Sequence, residues 1–340
     1  MEKRLINKDA LAGIARKMAM ELTVWVPVRE EDNVLFAPLS QDTEPFFAYL
    51  NSRNAPKQVF FPHTEKLMKY TRTPKGMVFS EEESKADKAV LFGVRPCDAQ
   101  SFALLDMLFD QEKYRDPYYV AKRNNTTVIT LTCVQPPYAT CFCTSVDGEP
   151  LSGGGADILL TELDANYLAE FITAKGEKLL KYFGDLKTDE ADDSRKMEIS
   201  EKAKQAIKSK IPAHEIKPLL DSNFEHPFWA TIHSKCLACG TCTYLCPTCH
   251  CFDISDEATG SDGVRIRSWD SCMFPLFTKE TSGHNPRISQ KERWRQRIMH
   301  KFKYYVDNFN AIACVGCGRC VRSCPVNLDI RKVVEDISKL

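Results

Sequence analysis

The sequence has no excess of positive over negative charge or the reverse, and it has no long hydrophobic run. Its 340 residues include 46 Lys and Arg and 46 Asp and Glu, which gives a formal net charge of zero. Nucleic-acid-binding domains usually carry a basic surplus, so no nucleic-acid partner is expected. Apolar stretches such as Ala89–Val94 are far shorter than the roughly 20 residues of a membrane-spanning helix. Met1–Asn7 is charged and lacks a following apolar signal segment, so we expect a cytoplasmic protein without membrane association.

Two sequence features of redox enzymes are also missing. The dinucleotide fingerprint G-x-G-x-x-G is absent, since the glycines of Ser152–Ala156 neither follow this spacing nor join a clear strand to a helix. The chain is therefore expected to bind neither NAD nor flavin. Adjacent Cys-Cys pairs, which occur in catalytic subunits of heterodisulfide reductases, are absent too. Their absence argues against a catalytic thiol or disulfide site.

Cysteine, by contrast, is abundant. The chain contains 15 cysteines and shows no secretion signal. Disulfides rarely persist in a reducing cytosol, and an odd number cannot form a complete disulfide framework. Metal binding is therefore the hypothesis to test.

The order of predicted elements indicates an α/β N-terminal domain followed by a mainly α-helical two-cluster ferredoxin-like domain. We place the α/β domain at 1–185, a charged helical connector at 186–225 and the ferredoxin-type domain at 226–340. A capping box, Ser289 with Glu292, predicts a further helix in the last domain. The basic residues of that segment could form a docking face, but a solvated helix surface is the preferred interpretation; they are Arg287, Lys291, Arg293, Arg295, Arg297, Lys301 and Lys303. In the first domain we predict helices at Lys8–Met20, with Asn7 as N-cap, and at Asp98–Phe109, and strands at Leu22–Val28, Gln58–Phe61, Ala89–Val94 and Thr126–Thr132.

The spacing C-x2-C-x2-C-x3-C-P occurs twice, as in bacterial ferredoxins with two [4Fe–4S] clusters. In such a pair of motifs the fourth cysteine of each motif binds the other cluster. We therefore expect cluster one on Cys236, Cys239, Cys242 and Cys324, and cluster two on Cys314, Cys317, Cys320 and Cys246. A four-thiolate zinc site is the alternative, but zinc does not require this spacing.

Two further groups of cysteines follow less specific patterns. Cys97 and Cys133 each follow a predicted strand, Ala89–Val94 and Thr126–Thr132, so they should emerge at the same edge of a parallel sheet. With Cys141 and Cys143 they could hold a third [4Fe–4S] cluster, a zinc ion, or no metal at all. Cys249, Cys251 and Cys272 form the last group. With His284 they are candidates for a fourth metal site, or they are structural neighbours of cluster two.

Several of these segments together resemble the iron–sulfur subunit of anaerobic sulfite reductase and the β subunit of soluble NiFe (sulf)hydrogenases. The resemblance runs from residue 95 to residue 320. It is carried by Arg95–Asp98, Cys141–Cys143, Cys236–Gly240, Cys246–Cys251, Trp269–Cys272, Gly283–Asn285 and Cys314–Cys320.

This resemblance implies a non-catalytic iron–sulfur relay subunit of an anaerobe's oxidoreductase complex. A flavin subunit similar to ferredoxin–NADP reductases would exchange electrons with NAD(P)H. A sulfite reductase, a NiFe hydrogenase or a heterodisulfide-reductase-like partner would be the catalytic subunit. The alternative function is a thiol- or disulfide-reducing enzyme with a catalytic cluster near Cys249, Cys251 and Cys272.

Overall fold

A computed structural model describes residues 1–81 and 86–340. Within these ranges no helix is long and apolar enough to cross a membrane. The strands are β1 Glu2–Asn7, β2 Thr23–Glu30, β3 Asn33–Pro38, β4 Thr64–Thr73, β5 Gly76–Glu81, β6 Ala89–Val94, β7 Thr126–Leu131, β8 Ile158–Glu162, β9 Asn166–Phe171, β10 Phe252–Thr259 and β11 Asp262–Trp269. The helices are α1 Ala10–Ala19, α2 Pro96–Phe109, α3 Pro117–Asn125, α4 Ala174–Glu177, α5 Glu190–Ala206, α6 Ile216–Ser222, α7 Trp229–Ile232, α8 Thr241–Tyr244, α9 Gln290–Met299, α10 Tyr305–Phe309, α11 Arg319–Arg322 and α12 Ile330–Ile337.

The larger sheet has the strand order β1-β9-β8-β7-β6-β2-β3. Its interior strands β2, β6, β7 and β8 are parallel, and the outer strands pair antiparallel. The apolar residues of β6 and β7 pack into cores on both faces of the sheet. Strand β6 has the predicted bounds and β7 ends one residue early. Their parallel pairing places the residues after both strands at one edge, as the sequence predicts.

Two local predictions in this region are wrong. Gln58–Phe61 is not a strand, because Pro56 starts a 3₁₀ turn at Pro56–Val59 and Phe60 packs edge-on against Phe102 of α2. Helix α1 has Asp9 rather than Asn7 at its N-cap. Asn7 instead ends strand β1, and its side-chain oxygen accepts a hydrogen bond from the Asp9 backbone N–H at 3.0 Å.

A smaller sheet has the strand order β10-β11-β4-β5. Strands β10 and β11 form a hairpin that lies, in sequence, between the two ferredoxin-type motifs. Strand β11 pairs antiparallel with β4, so this insert is tied to the N-terminal half of the chain. The prediction of a mainly α-helical C-terminal domain did not include this hairpin.

The predicted connector and capped helix contribute to a C-terminal core. Helix α5 is charged and largely exposed, whereas Ile216 and Leu220 of α6 pack in a core with Trp294 and Ile298 of α9. The predicted capping box of α9 is present. Helix α9 continues through a π-helical turn at His300–Tyr304 into α10. The chain therefore combines an N-terminal α/β sheet with a C-terminal cysteine-rich region.

Candidate metal centres

The two ferredoxin-type motifs have the same local backbone. Gly240 and Gly318 each adopt a φ of +71° directly before a one-turn helix, α8 or α11. This left-handed conformation suits glycine because it has no Cβ. In both motifs the glycine follows the second cysteine, so the chain turns sharply between the second and third thiols.

The structure brings the first predicted quartet together. Cys236, Cys239, Cys242 and Cys324 line one cavity, with Trp294 and Leu328 in its wall. Several donors point at its sulfur atoms. Gln290 Nε2 lies 3.1 Å from Cys236 Sγ, the Ala238 backbone N–H donates to the same sulfur at 3.4 Å, and the Leu328 backbone N–H donates to Cys324 Sγ at 3.2 Å. Hydrogen bonds to cysteine sulfur stabilise the reduced form of an iron–sulfur cluster. Cys239 is exposed, so this quartet reaches the protein surface.

The second quartet lies deeper. Burial raises the pKa of Cys314, Cys317 and Cys320, to about 11 for Cys314, and the nearby Cys246 sulfur adds to the rise. The Lys301 ammonium opposes this effect because its Nζ lies 3.4 Å from Cys246 Sγ. Lys301 belongs to the π-helical turn after α9, a type of turn that often occurs at functional sites.

Three buried cations surround Cys246 and its neighbour Cys249. Lys57 and Arg297 are each 2% exposed and Lys301 is 4% exposed. Lys57 donates hydrogen bonds to the carbonyl oxygens of Cys246 and Cys249, and Arg297 Nη1 lies 3.9 Å from Cys249 Sγ. Within residues 1–81 and 86–340, none of the three forms an ion pair with a carboxylate.

Such a concentration of buried positive charge requires a nearby negative charge. A buried cation is strongly destabilising unless it is paired, and neutral thiols do not provide a counter-charge. Thiolate ligands of a [4Fe–4S] cluster do provide it. Burial opposes the charge on Lys301, but the sulfur atoms of Cys246 and Cys249 outweigh that effect and raise its pKa, whereas burial prevails at Lys57 and lowers its pKa. The surroundings of the second quartet therefore fit an anionic cluster.

The third candidate quartet also converges on one cavity. Cys97 lies in the first turn of α2, and Cys133 follows β7 at the same sheet edge. Both line a cavity with Cys141 and Cys143, and Cys317 of the second quartet lies in its wall. Burial raises the pKa of all four thiols, to about 11 for Cys141 and about 12 for Cys143. The third quartet thus lies directly beside the second.

Backbone contacts fix this neighbourhood. The Phe142 backbone N–H donates to the Gly316 carbonyl at 2.9 Å. A Cβ on Gly316 would lie 2.4 Å from the backbone nitrogen of Cys143. Arg319, in the second motif, donates two hydrogen bonds to the Asp98 carboxylate, at 2.6 and 2.8 Å, and both side chains are fully buried. A charge-assisted bidentate pair of this kind holds its two segments in a defined orientation.

The structure does not bring all members of the last group together. The Cys249 thiol contacts Cys246, and the Cys272 thiol contacts Cys251. His284 is exposed, and its backbone N–H donates to Ser282 Oγ. In the described part of the chain, the three quartets included, no three or more His, Cys, Asp or Glu side chains are arranged around a position for a single metal ion. The metal site with His284 stays a prediction from the sequence, and a mononuclear zinc site gains no support.

Sequence reasoning missed the buried cations. Arg297 and Lys301 were interpreted as part of a solvated helix surface, yet both are buried beside the cysteines. Their spacing contained a signal: Arg293, Arg297 and Lys301 recur every fourth residue and flank the apolar stripe of Trp294, Ile298 and Phe302. The sequence around Lys57 gives no such signal, because only the tertiary fold brings Lys57 close to Cys249.

Comparison with known proteins agrees with this geometry. Residues 235–328 match the family of 4Fe-4S dicluster domains. The chain is 30% identical to sulfhydrogenase 2 subunit beta of Pyrococcus furiosus in an alignment of 320 residues that covers 92% of each chain. No solved structure shows a significant match. The chain is therefore an iron–sulfur electron-transport protein that belongs to the sulfhydrogenase β-subunit family.

Proposed function

We propose that this chain relays electrons through three [4Fe–4S] clusters between two partner subunits of a cytoplasmic oxidoreductase complex. The observation that supports this most directly is the order of the quartets in space. Cys317 of the second quartet lines the cavity of the third, and Cys246 of the second interacts electrostatically with Cys242 of the first. The second quartet thus adjoins both of the others, and we place it at the centre of the series.

Both ends of the series reach solvent. At one end Cys239 is exposed, and the adjacent Leu237 is 65% exposed. At the other end Cys133 lines an open outer cavity together with Tyr49 and Arg95. A relay needs an entry and an exit that partner proteins can approach, and these two surfaces provide them.

The proposed partners follow from the family and from the absence of a dinucleotide fingerprint in this chain. The relative is named as a subunit of a sulfhydrogenase. We infer that one partner is a flavin-containing subunit, similar to ferredoxin reductases, that exchanges electrons with NAD(P)H. The other is a catalytic subunit: a NiFe hydrogenase, a sulfite reductase or a heterodisulfide-reductase-like protein. In this arrangement the chain itself turns over no substrate.

The test compares the complex with the isolated chain. The complex is purified under anaerobic conditions through a tag on this chain, and NADH or NADPH is added. We expect the visible absorption of the clusters to bleach in the complex, because the flavin subunit delivers electrons. The isolated chain should keep its clusters but show no bleaching and no thiol–disulfide turnover. Robust turnover by the isolated chain would instead favour the alternative, a thiol- or disulfide-reducing enzyme near Cys249, Cys251 and Cys272.

A further inference from the structure

Two cysteines outside the three quartets are held against each other by the β10–β11 hairpin. Cys251 directly precedes β10, and its carbonyl accepts a hydrogen bond at 3.0 Å from the backbone N–H of Asp270, just after β11. Two residues further on, the backbone N–H and the thiol of Cys272 both interact with the Cys251 sulfur. The pairing of Phe252 with Trp269 fixes this register. The contact therefore follows from the sheet rather than from a flexible loop.

The surroundings of this pair favour a reactive thiol. Cys272 is 8% exposed, whereas Cys251 is half-buried and partly open to solvent. The buried Lys57 side chain approaches the Cys251 sulfur. A partly exposed thiol with a second thiol and a cation beside it is the arrangement that thiol–disulfide chemistry uses.

The pair also lies close to cluster two. Cys272 interacts electrostatically with Cys249, and the Cys249 thiol contacts Cys246. A short run of sulfur atoms thus leads from Cys246, the expected ligand of cluster two, to the Cys251–Cys272 pair. Lys57 lies beside both ends of this run, since it approaches Cys246, Cys249 and Cys251.

We propose that Cys251 and Cys272 form a redox-active dithiol–disulfide couple that exchanges electrons with the cluster held by Cys246. This inference rests on the proposed function, because a reduced [4Fe–4S] cluster is the electron donor. Reduction breaks the Sγ–Sγ bond and takes up two electrons, delivered singly as the cluster is oxidised twice. Two protons from solvent complete the two thiols.

The test counts disulfide-bonded cysteines in the intact complex. The protein is held under oxidising conditions or reduced with dithionite, quenched in acid, and alkylated with N-ethylmaleimide. Disulfides are then reduced and labelled with a deuterated maleimide, and the labelled positions are read by mass spectrometry. Cluster cysteines are released as thiols and receive the light label. We expect the heavy label at Cys251 and Cys272 after oxidation, and its loss after reduction.

Two variants and the iron content separate the possible outcomes. Cys249→Ser is the matched control, because it removes a neighbouring thiol that is not part of the pair; it should keep the heavy label. Cys272→Ser should abolish the label at Cys251 without loss of iron. Absence of the heavy label from a cluster-loaded native protein overturns the proposal, as does loss of iron from Cys272→Ser. A native protein without clusters overturns the relay function as well.

Discussion

At the scale of single residues, the buried lysine near Cys246 carries the clearest electrostatic consequence. An added electron makes the cluster more negative, and a cation held 3.4 Å from a ligand sulfur stabilises that state. Lys301 and Cys246 are both buried, so the effect is screened less than at a surface. Lys57 and Arg297 act in the same direction. We therefore expect cluster two to have the highest reduction potential of the series.

Replacement of this lysine tests the expectation. Lys301→Met should lower the reduction potential of cluster two by on the order of 100 mV. This size follows from Coulomb's law at an effective dielectric constant of about 20, with the interaction energy converted to a potential. A redox titration followed by electron paramagnetic resonance measures this shift.

Lys303→Met provides the matched control. It removes the same charge two residues away, where Lys303 pairs with Asp221 and Asp307 instead. Its effect on the potential should be much smaller. An unchanged potential in Lys301→Met, or equal shifts in both variants, would contradict the assignment of Lys301 to cluster two.

At the scale of elements, the contact between two loops joins the second and third quartets. The loop before α11 and the loop that carries Cys141 and Cys143 meet at Gly316, which has a φ of +62°. The hydrogen bond from Phe142 to Gly316 requires a close approach of the two backbones. A side chain at this position would push the loops apart.

Gly316→Ala should therefore disturb the contact that joins the third quartet to the second motif. A new Cβ would lie 2.4 Å from the backbone nitrogen of Cys143, so we expect a loss of about four irons per chain in addition to a lower melting temperature. Gly260→Ala is the matched control, because Gly260 has a φ of +64° but no atom within 4 Å of its Cβ position. It should show only the backbone strain of about 1–2 kcal/mol in unfolding free energy. Equal iron contents in both variants would contradict the proposed role of this contact.

The elements also show how far the sequence determines the fold and the site. Strands β6 and β7 were predictable because continuous apolar runs between polar residues are typical of a parallel sheet. The two ferredoxin-type quartets followed from spacing alone. The β10–β11 hairpin was missed because Phe252–Thr259 is rich in acidic residues, although the turn residues Gly260 and Ser261 were a usable signal. The position of Lys57 depends on tertiary contacts that no local pattern encodes.

At the scale of the whole molecule, the three cysteine quartets span the two halves of the chain. The third quartet belongs to the α/β sheet, and the other two belong to the dicluster domain. The buried pair of Arg319 and Asp98, together with the pairing of β11 with β4, joins these halves. A fixed arrangement of the halves keeps the distances between neighbouring centres constant, as electron transfer requires.

The central claim is that cysteines converge in fours to hold cubane iron–sulfur clusters. Its most direct test is the iron and acid-labile sulfide content of anaerobically purified protein. The same preparation is examined by electron paramagnetic resonance for centres that can be reduced. The account predicts about twelve irons and twelve sulfides per chain, as expected for three cubanes. Fewer than about eight irons, or zinc in their place, with no reducible centre, would contradict it.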